Sequence, residues 1–249
     1  MATILALAAA PARAQDHVLV VGGAGYLGAE ISKALVARGF AVTVMVRPTS
    51  DRSRLAGVPV TFAVGDATKP DDVLAAASLH PFRAVVDAIA GAPGEAAPYA
   101  AAQTAIVATA RATGVEQIVL NSSAGAGDGS NAADYPDINV ARFKAGLIEK
   151  GRAEAILRTG SVPYTVVRSG AILIERGEPP HPPTGQAYLV EDEKVVGPTT
   201  YGDLGRLVAA CVLNARCFNG VFHATDDTLG PEFKRWRCMR FRTSETEKC

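Results

Sequence analysis

His17-Val18-Leu19-Val20-Val21-Gly22-Gly23-Ala24-Gly25-Tyr26-Leu27-Gly28 starts as an apolar run and ends in spaced glycines. Val18 to Val21 reads as a strand covered on both faces, since no polar residue alternates with the apolar ones. Gly22, Gly25 and Gly28 then form G-x-x-G-x-x-G. Leu27, Ile31, Ala34 and Leu35 recur at helical spacing up to Arg38, and Gly39 stops that helix. A strand, a glycine turn and a helix in this order make a cradle for a pyrophosphate. The first glycine permits the tight turn, the second lets backbone approach the phosphates, and the third lets the helix lie close to the strand. The helix amino terminus supplies free N–H groups. Gly22, Gly25, Tyr26, Leu27 and Gly28 are therefore candidate dinucleotide-binding residues.

The next strand, Ala41–Val46, selects among dinucleotides. An NAD site usually ends this strand in Asp or Glu, which accepts from the ribose hydroxyls. Here it runs into Arg47-Pro48-Thr49-Ser50, with Arg52 and Arg54 close behind. A guanidinium fork suits a 2′-phosphate, so the cofactor expected is NADP(H). Asp66, after a third strand at Val60–Val64, either accepts from an adenine amino group or caps the helix expected from Thr68. Ala88-Ile89-Ala90-Gly91 ends a fourth strand, Ala84–Ile89, with small residues, as if backbone passed close to the cofactor at Ala90.

Further on, apolar runs and helical patterns keep alternating, which predicts an α/β protein with a doubly wound parallel sheet. Helices are expected at about 97–113, 140–159 and 203–214. The remaining strands are expected at Glu116–Leu120, Tyr164–Arg168 and Val221–Ala224. The strand at Glu116–Leu120 opens into the polar loop Asn121–Asn139. Residues 16–232 read as one domain, with a small substrate-side extension from about residue 171 that includes the Pro-rich stretch Gly177–Gly185.

Composition narrows the classes. The 249 residues are 48% hydrophobic and 20% charged, and 25 basic residues balance 25 acidic ones. A chain of this length buries roughly 70–75% of its unfolded surface, enough for a core without staples. Zero net charge argues against a nucleic-acid partner. The four cysteines, Cys211, Cys217, Cys238 and Cys249, lie in the last forty residues with neither C-x-x-C nor neighbouring His. Reduced thiols and no metal site are expected. Residues 1–15 hold a short apolar run with no preceding cation, and read as a targeting remnant or loose tail. The expected location is cytoplasmic or an organelle interior (plastid stroma or mitochondrial matrix), not secreted.

From about residue 17 to 236 the chain resembles the atypical short-chain dehydrogenase/reductases of the NmrA-like type. The resemblance rests on the glycine fingerprint, Val46-Arg47, Val64-Gly65-Asp66, Ile118–Ser123, Lys150 with Ala153-Glu154, and Gly202-Asp203-Leu204. Its most specific stretch is Pro163-Tyr164-Thr165-Val166-Val167-Arg168-Ser169-Gly170. The resemblance implies a Rossmann domain binding NADP(H), with a small-molecule substrate over the nicotinamide. It places the active-site serine at Ser122 or Ser123 and the ribose-binding lysine at Lys150. Arg168–Ala171 becomes the loop beside the carboxamide.

One departure stands out. The wider superfamily uses Tyr-x-x-x-Lys, in which the phenol protonates a reduced carbonyl. Four residues before Lys150 stands Gly146, and no Tyr here is followed four residues later by Lys. Tyr135, in the loop, is the spatial substitute to consider. Two functions are thus expected in turn: an NADPH-dependent oxidoreductase transferring hydride to a small organic substrate, or a non-catalytic NADP(H)-binding sensor, assembly factor or accessory subunit. Residues 233–249 form a basic-aromatic tail. Its Phe233–Arg242 stretch is either a solvated segment or a contact for an anionic membrane surface or a protein complex.

Overall fold

The computed structural model describes residues 16–91, 97–127, 140–173 and 180–230, with backbone alone for 140–143. The opening apolar run is a strand, β1 (His17–Val21), and the glycine turn leads into α1 (Tyr26–Ala37). There follow β2 (Ala41–Val46), β3 (Val60–Val64), α2 (Pro70–Ala77), β4 (Phe82–Asp87), α3 (Tyr99–Thr113) and β5 (Gln117–Ser123). The chain continues through α4 (Val140–Thr159), β6 (Tyr164–Ser169), β7 (Tyr188–Val190), α5 (Tyr201–Cys211) and β8 (Gly220–Thr225).

The strands form one sheet in the order β3-β2-β1-β4-β5-β6-β8-β7, parallel except where β7 pairs antiparallel with β8. The chain leaves β1 in one direction and resumes at β4 in the other, so the sheet reverses its winding between these neighbours. In such sheets ligands bind in the crevice outside the carboxyl ends of the strands at this reversal. Helices α1 and α5 cover one face with Val18, Val20, Val44, Val86 and Val167, while α2, α3 and α4 cover the other with Leu19, Val85, Ile118, Leu120 and Val166. Alternate residues of each inner strand thus feed two cores, which is why these strands are apolar throughout.

The Rossmann architecture is the expected one, and three local expectations fail. The fifth strand does not open at Asn121 but runs to Ser123, because Asn121, Ser122 and Ser123 pair in register with Val167, Arg168 and Ser169 of β6. The helix expected from Thr68 starts later: Thr68 donates through N and Oγ1 to Asp66 Oδ1 at 2.9 and 2.8 Å, and α2 begins at Pro70 after Lys69. Cys211 and Cys217 are not free thiols but a disulfide, both fully buried with Cα atoms 5.5 Å apart. The chain turns back after α5 through Leu213 at φ +53° and a 3₁₀ turn at Ala215–Cys217, which closes a loop too short to announce itself by spacing. Strand β7 has no expected counterpart; its three residues give too short a pattern to read.

Among the described residues no helix is long and apolar enough to cross a membrane. Residues 1–15, Tyr135 and the tail from residue 231 lie outside the described residues.

Candidate functional site

The glycine turn has the close approaches that its chemistry needs. Gly22 has φ +77°, and a Cβ there would meet the Ala88 carbonyl oxygen and the Ile89 nitrogen at 3.0 Å each. A Cβ on Gly28 would run into the Gly22 carbonyl oxygen and sit 2.5 Å from Gly23 Cα. The turn is therefore pressed between the end of β4 and the first turn of α1. No side chain caps α1, and its first turn holds no acidic residue. By contrast, α2 has Asp71 and Asp72 in its first turn, and Thr200 accepts from Asp203 N at the start of α5. The N–H groups at Tyr26, Leu27 and Gly28 are the unpaired donors every helix start presents, and here the dipole is left for an anion from outside.

At the end of β2, Arg47 is exposed. Its backbone N–H donates to Ser50 Oγ at 3.1 Å, but no hydrogen bond or ion pair involves its side chain among the described residues. The neighbouring arginines are engaged otherwise. Arg52 lies over the Phe62 ring at 4.8 Å, and Arg54 lies over Tyr26 at 3.9 Å while pairing with Asp51 at 3.5 Å. Tyr26 is 41% exposed and stacks on Tyr201 as well. Asp66 is held below the usual carboxylate range, first by the Thr68 N–H and then by the Thr68 hydroxyl. Its loop is thus self-capped, and Asp66 N donates to Asp72 Oδ2 at 2.8 Å.

Beyond the reversal point, three side chains from three elements gather around one lysine. Lys150, on α4, points its Nζ at the Asn121 carbonyl oxygen at 3.4 Å and over the Tyr99 ring at 4.8 Å. Burial lowers its pKa to about 8 against the raising effect of Asp87 and then Glu154. Asp87 ends β4, is 2% exposed, and accepts from Ile89 N at 2.9 Å. Burial raises its pKa to about 6, against the Ile89 N–H and the Lys150 charge. Tyr99 Oη accepts from Gly91 N at 2.9 Å, which ties α3 to the segment Ala88–Gly91. Ala90 lies exposed in that segment. The sequence reading missed Asp87 and Tyr99. An aspartate inside the apolar run Val85-Val86-Asp87-Ala88 was the available signal, because such strands rarely bury a charge without use.

Strand alternation separates the two candidate serines. Ser122 is fully buried on the α4 face, where its Oγ donates to Glu154 Oε1 at 2.7 Å. That bond commits the hydroxyl to a buried carboxylate. Ser123 is half-buried at the strand end, with its neighbour Ala124 N bonded to the Ser169 oxygen at 2.9 Å. Arg168, facing Ser122 across the ladder, is 7% exposed and grips Glu154 through Nε at 3.0 Å and a terminal nitrogen at 2.7 Å. Arg158 reaches the same carboxylate at 3.0 Å. Two of the Arg168 nitrogens are thus held by Glu154. His223 extends the row on β8, opposite Arg168. It is buried, both ring nitrogens lack a hydrogen-bond partner among the described residues, and its pKa is lowered to about 4, first by burial and then by Arg168.

Residues 22–215 match the model of a protein family described as NAD(P)H-binding. No curated protein is similar enough in sequence to count as a relative. Solved structures share the fold. ChuY from Escherichia coli O157:H7, described as an anaerobillin reductase, superposes with a TM-score of 0.70 at 23% identity over 86% of this chain and 99% of its own. The oxidoreductase ylbE from Lactococcus lactis gives 0.70 at 16% identity over 93% of this chain and 100% of its own. A wide-type short-chain dehydrogenase/reductase from Veillonella parvula, in complex with NADP, gives 0.64 at 12% identity over 85% and 95%. With its glycine turn at the reversal point of the sheet, the chain belongs to the NAD(P)H-binding family, consistent with its resemblance to the atypical short-chain dehydrogenase/reductases of the NmrA-like type.

Proposed function

We propose that this chain is an NADPH-dependent oxidoreductase acting on a small, uncharged organic substrate. The observation that carries the choice of NADPH is the Arg47 side chain, exposed at the end of β2 with its donors unspent where an NAD site needs an acceptor. The glycine turn and the uncapped start of α1 would hold the pyrophosphate, Arg47 the 2′-phosphate, and Lys150 the nicotinamide ribose. The bound cofactor supplies a hydride. Ser123, at the open end of β5, would donate a hydrogen bond to the substrate oxygen, while the Ala88–Gly91 segment walls the cofactor on the β4 side. The Escherichia coli neighbour described as a reductase and the Veillonella parvula neighbour in complex with NADP support this reading.

The test is calorimetric titration of the native protein with NADPH and NADH, followed by NADPH oxidation against a panel of carbonyl and enone compounds. NADPH is expected to bind about 10- to 100-fold more tightly, since one charge-assisted contact contributes about 1.5–3 kcal/mol. Tighter NADH binding would overturn the cofactor assignment. A second reading, a non-catalytic NADP(H)-binding sensor, assembly factor or accessory subunit, is favoured by Gly146 standing where the superfamily has its Tyr. Tight NADPH binding with no turnover of any compound would make it the better one.

A further inference from the structure

Asp87 pairs with Leu120 across the β4–β5 ladder, one residue before Asn121, whose carbonyl oxygen lies 3.4 Å from Lys150 Nζ, so carboxylate and ammonium share one corner at the carboxyl end of the sheet with no ion pair joining them. An ammonium group carries three N–H donors. In a direct salt bridge Lys150 would spend them on the carboxylate. Here the protein takes one donor, in a long contact to the Asn121 carbonyl oxygen, and the Tyr99 ring offers only its face. Burial meanwhile favours the neutral amine. The other carboxylate near Lys150, Glu154, is already shared by Arg168, Arg158 and Ser122. Among the described residues no arginine pairs with Asp87, which accepts from the Ile89 N–H.

We propose that Asp87 is the positioning residue of Lys150: across a gap, its carboxylate keeps the lysine charged with donors free for the ribose hydroxyls of a bound nicotinamide cofactor. This rests on the cofactor site proposed above, though not on any turnover. The phenol that accompanies the lysine elsewhere in the superfamily is absent from its place on α4. Here a carboxylate from β4 and the Tyr99 ring from α3 flank the lysine instead. The Ile89 N–H bond fixes the carboxylate, and the Gly91 N–H bond fixes the ring.

The charged and titratable groups facing Lys150 are Asp87 on β4, Tyr99 on α3 and Glu154 on its own helix, so the test isolates Asp87 by substitution. Asp87→Asn keeps an oxygen to accept from Ile89 N–H and removes only the charge. Binding of NADPH and NADH is measured by calorimetry at pH 7.5 and pH 6.0 for the native protein, Asp87→Asn, Lys150→Met and the double variant, with thermal unfolding of each. At pH 7.5 Asp87→Asn should weaken both cofactors alike, by about threefold, the fall in the protonated fraction of Lys150 when a pKa of about 8 drops by one unit. At pH 6.0 the gap should shrink, because Lys150 is then protonated in either protein and Asp87 itself is partly neutralised. In the Lys150→Met background, Asp87→Asn should change neither affinity further.

An equal loss in both backgrounds would overturn the proposal, since Asp87 would then act on the fold or the cofactor without the lysine. A loss that persists undiminished at pH 6.0 would also overturn it. If the native protein binds neither cofactor, the cofactor reading of the whole site fails first, an outcome distinct from intact binding with no coupling.

Discussion

Two strand ends carry an arginine, and the two are used in opposite ways. Arg47 follows β2, exposed, with no hydrogen bond or ion pair on its guanidinium among the described residues and only the more distant charge of Asp66 acting on it. Arg168 lies near the end of β6, 7% exposed, with two of its nitrogens on Glu154. An arginine that recognises a ligand must reach the folded state with its donors unspent, whereas one that holds strands to a helix must spend them. The β3-β2-β1 half of the carboxyl edge thus offers donors outward, at Arg47 and the start of α1. The β5-β6-β8 half turns its polar groups inward on Glu154.

Removing the hub should give the largest effect. Glu154→Ala leaves the buried Arg168 without its partner, which costs about 3–5 kcal/mol. A large fall in the thermal midpoint is expected. If the midpoint stays within a degree of native, the network is ornamental and the contrast between the two arginines collapses.

Acid should strain the same network at His223. Its folded pKa, about 4, lies below the ordinary value of 6.5, so its contribution is present above pH 6.5 and fades as pH falls toward 4. The slope from this one group is at most about 1.4 kcal/mol per pH unit. Chemical denaturation at pH 7 and pH 4.5 should show a smaller acid loss for His223→Leu than for the native protein. Equal losses would mean that His223 is protonated without cost.

Arg47→Ala should then leave stability within about 0.5 kcal/mol of native, as for most exposed positions. It should erase most of the NADPH preference and barely alter NADH affinity, which calorimetry reads directly. If the preference survives, the phosphate grip moves to Arg52 or Arg54, whose ring contacts would have to be given up.

The smallest effects should separate the serines. Ser122→Ala removes the hydroxyl from Glu154 and should lower stability by about 1 kcal/mol with little change in substrate KM. Ser123→Ala should do the reverse, raising KM or lowering turnover in a protein of native stability. A Ser122→Ala protein with native stability and lost turnover would exchange the two roles.

Much of the first half-sheet was legible in the chain. The strand–glycine–helix unit lies within about twenty residues, Gly28 answers a steric demand of Gly22 and Gly23 just before it, and Arg47 sits one residue past a strand whose end was plain. The second half was not. The Ser122–Glu154 bond joins residues 32 positions apart, and the family resemblance named Lys150, Ala153 and Glu154 without saying what they touch. The polar loop expected at Asn121 proved to be strand because pairing with β6 stabilises residues whose own preference is for turns.

What the sequence determined by itself is the winding of the sheet, the place of the pyrophosphate cradle and the cation at the end of β2. These follow from local periodicity and from contacts between near neighbours. Only the tertiary structure decided which serine faces inward, that Arg168 is consumed by Glu154, that Cys211 and Cys217 meet, and that Asp87 and Tyr99 flank Lys150. The physical reason is the same in each case. Burial and charge pairing are properties of neighbours in space, and a side chain's pKa and free donors are set only when helices and strands distant in sequence close around it.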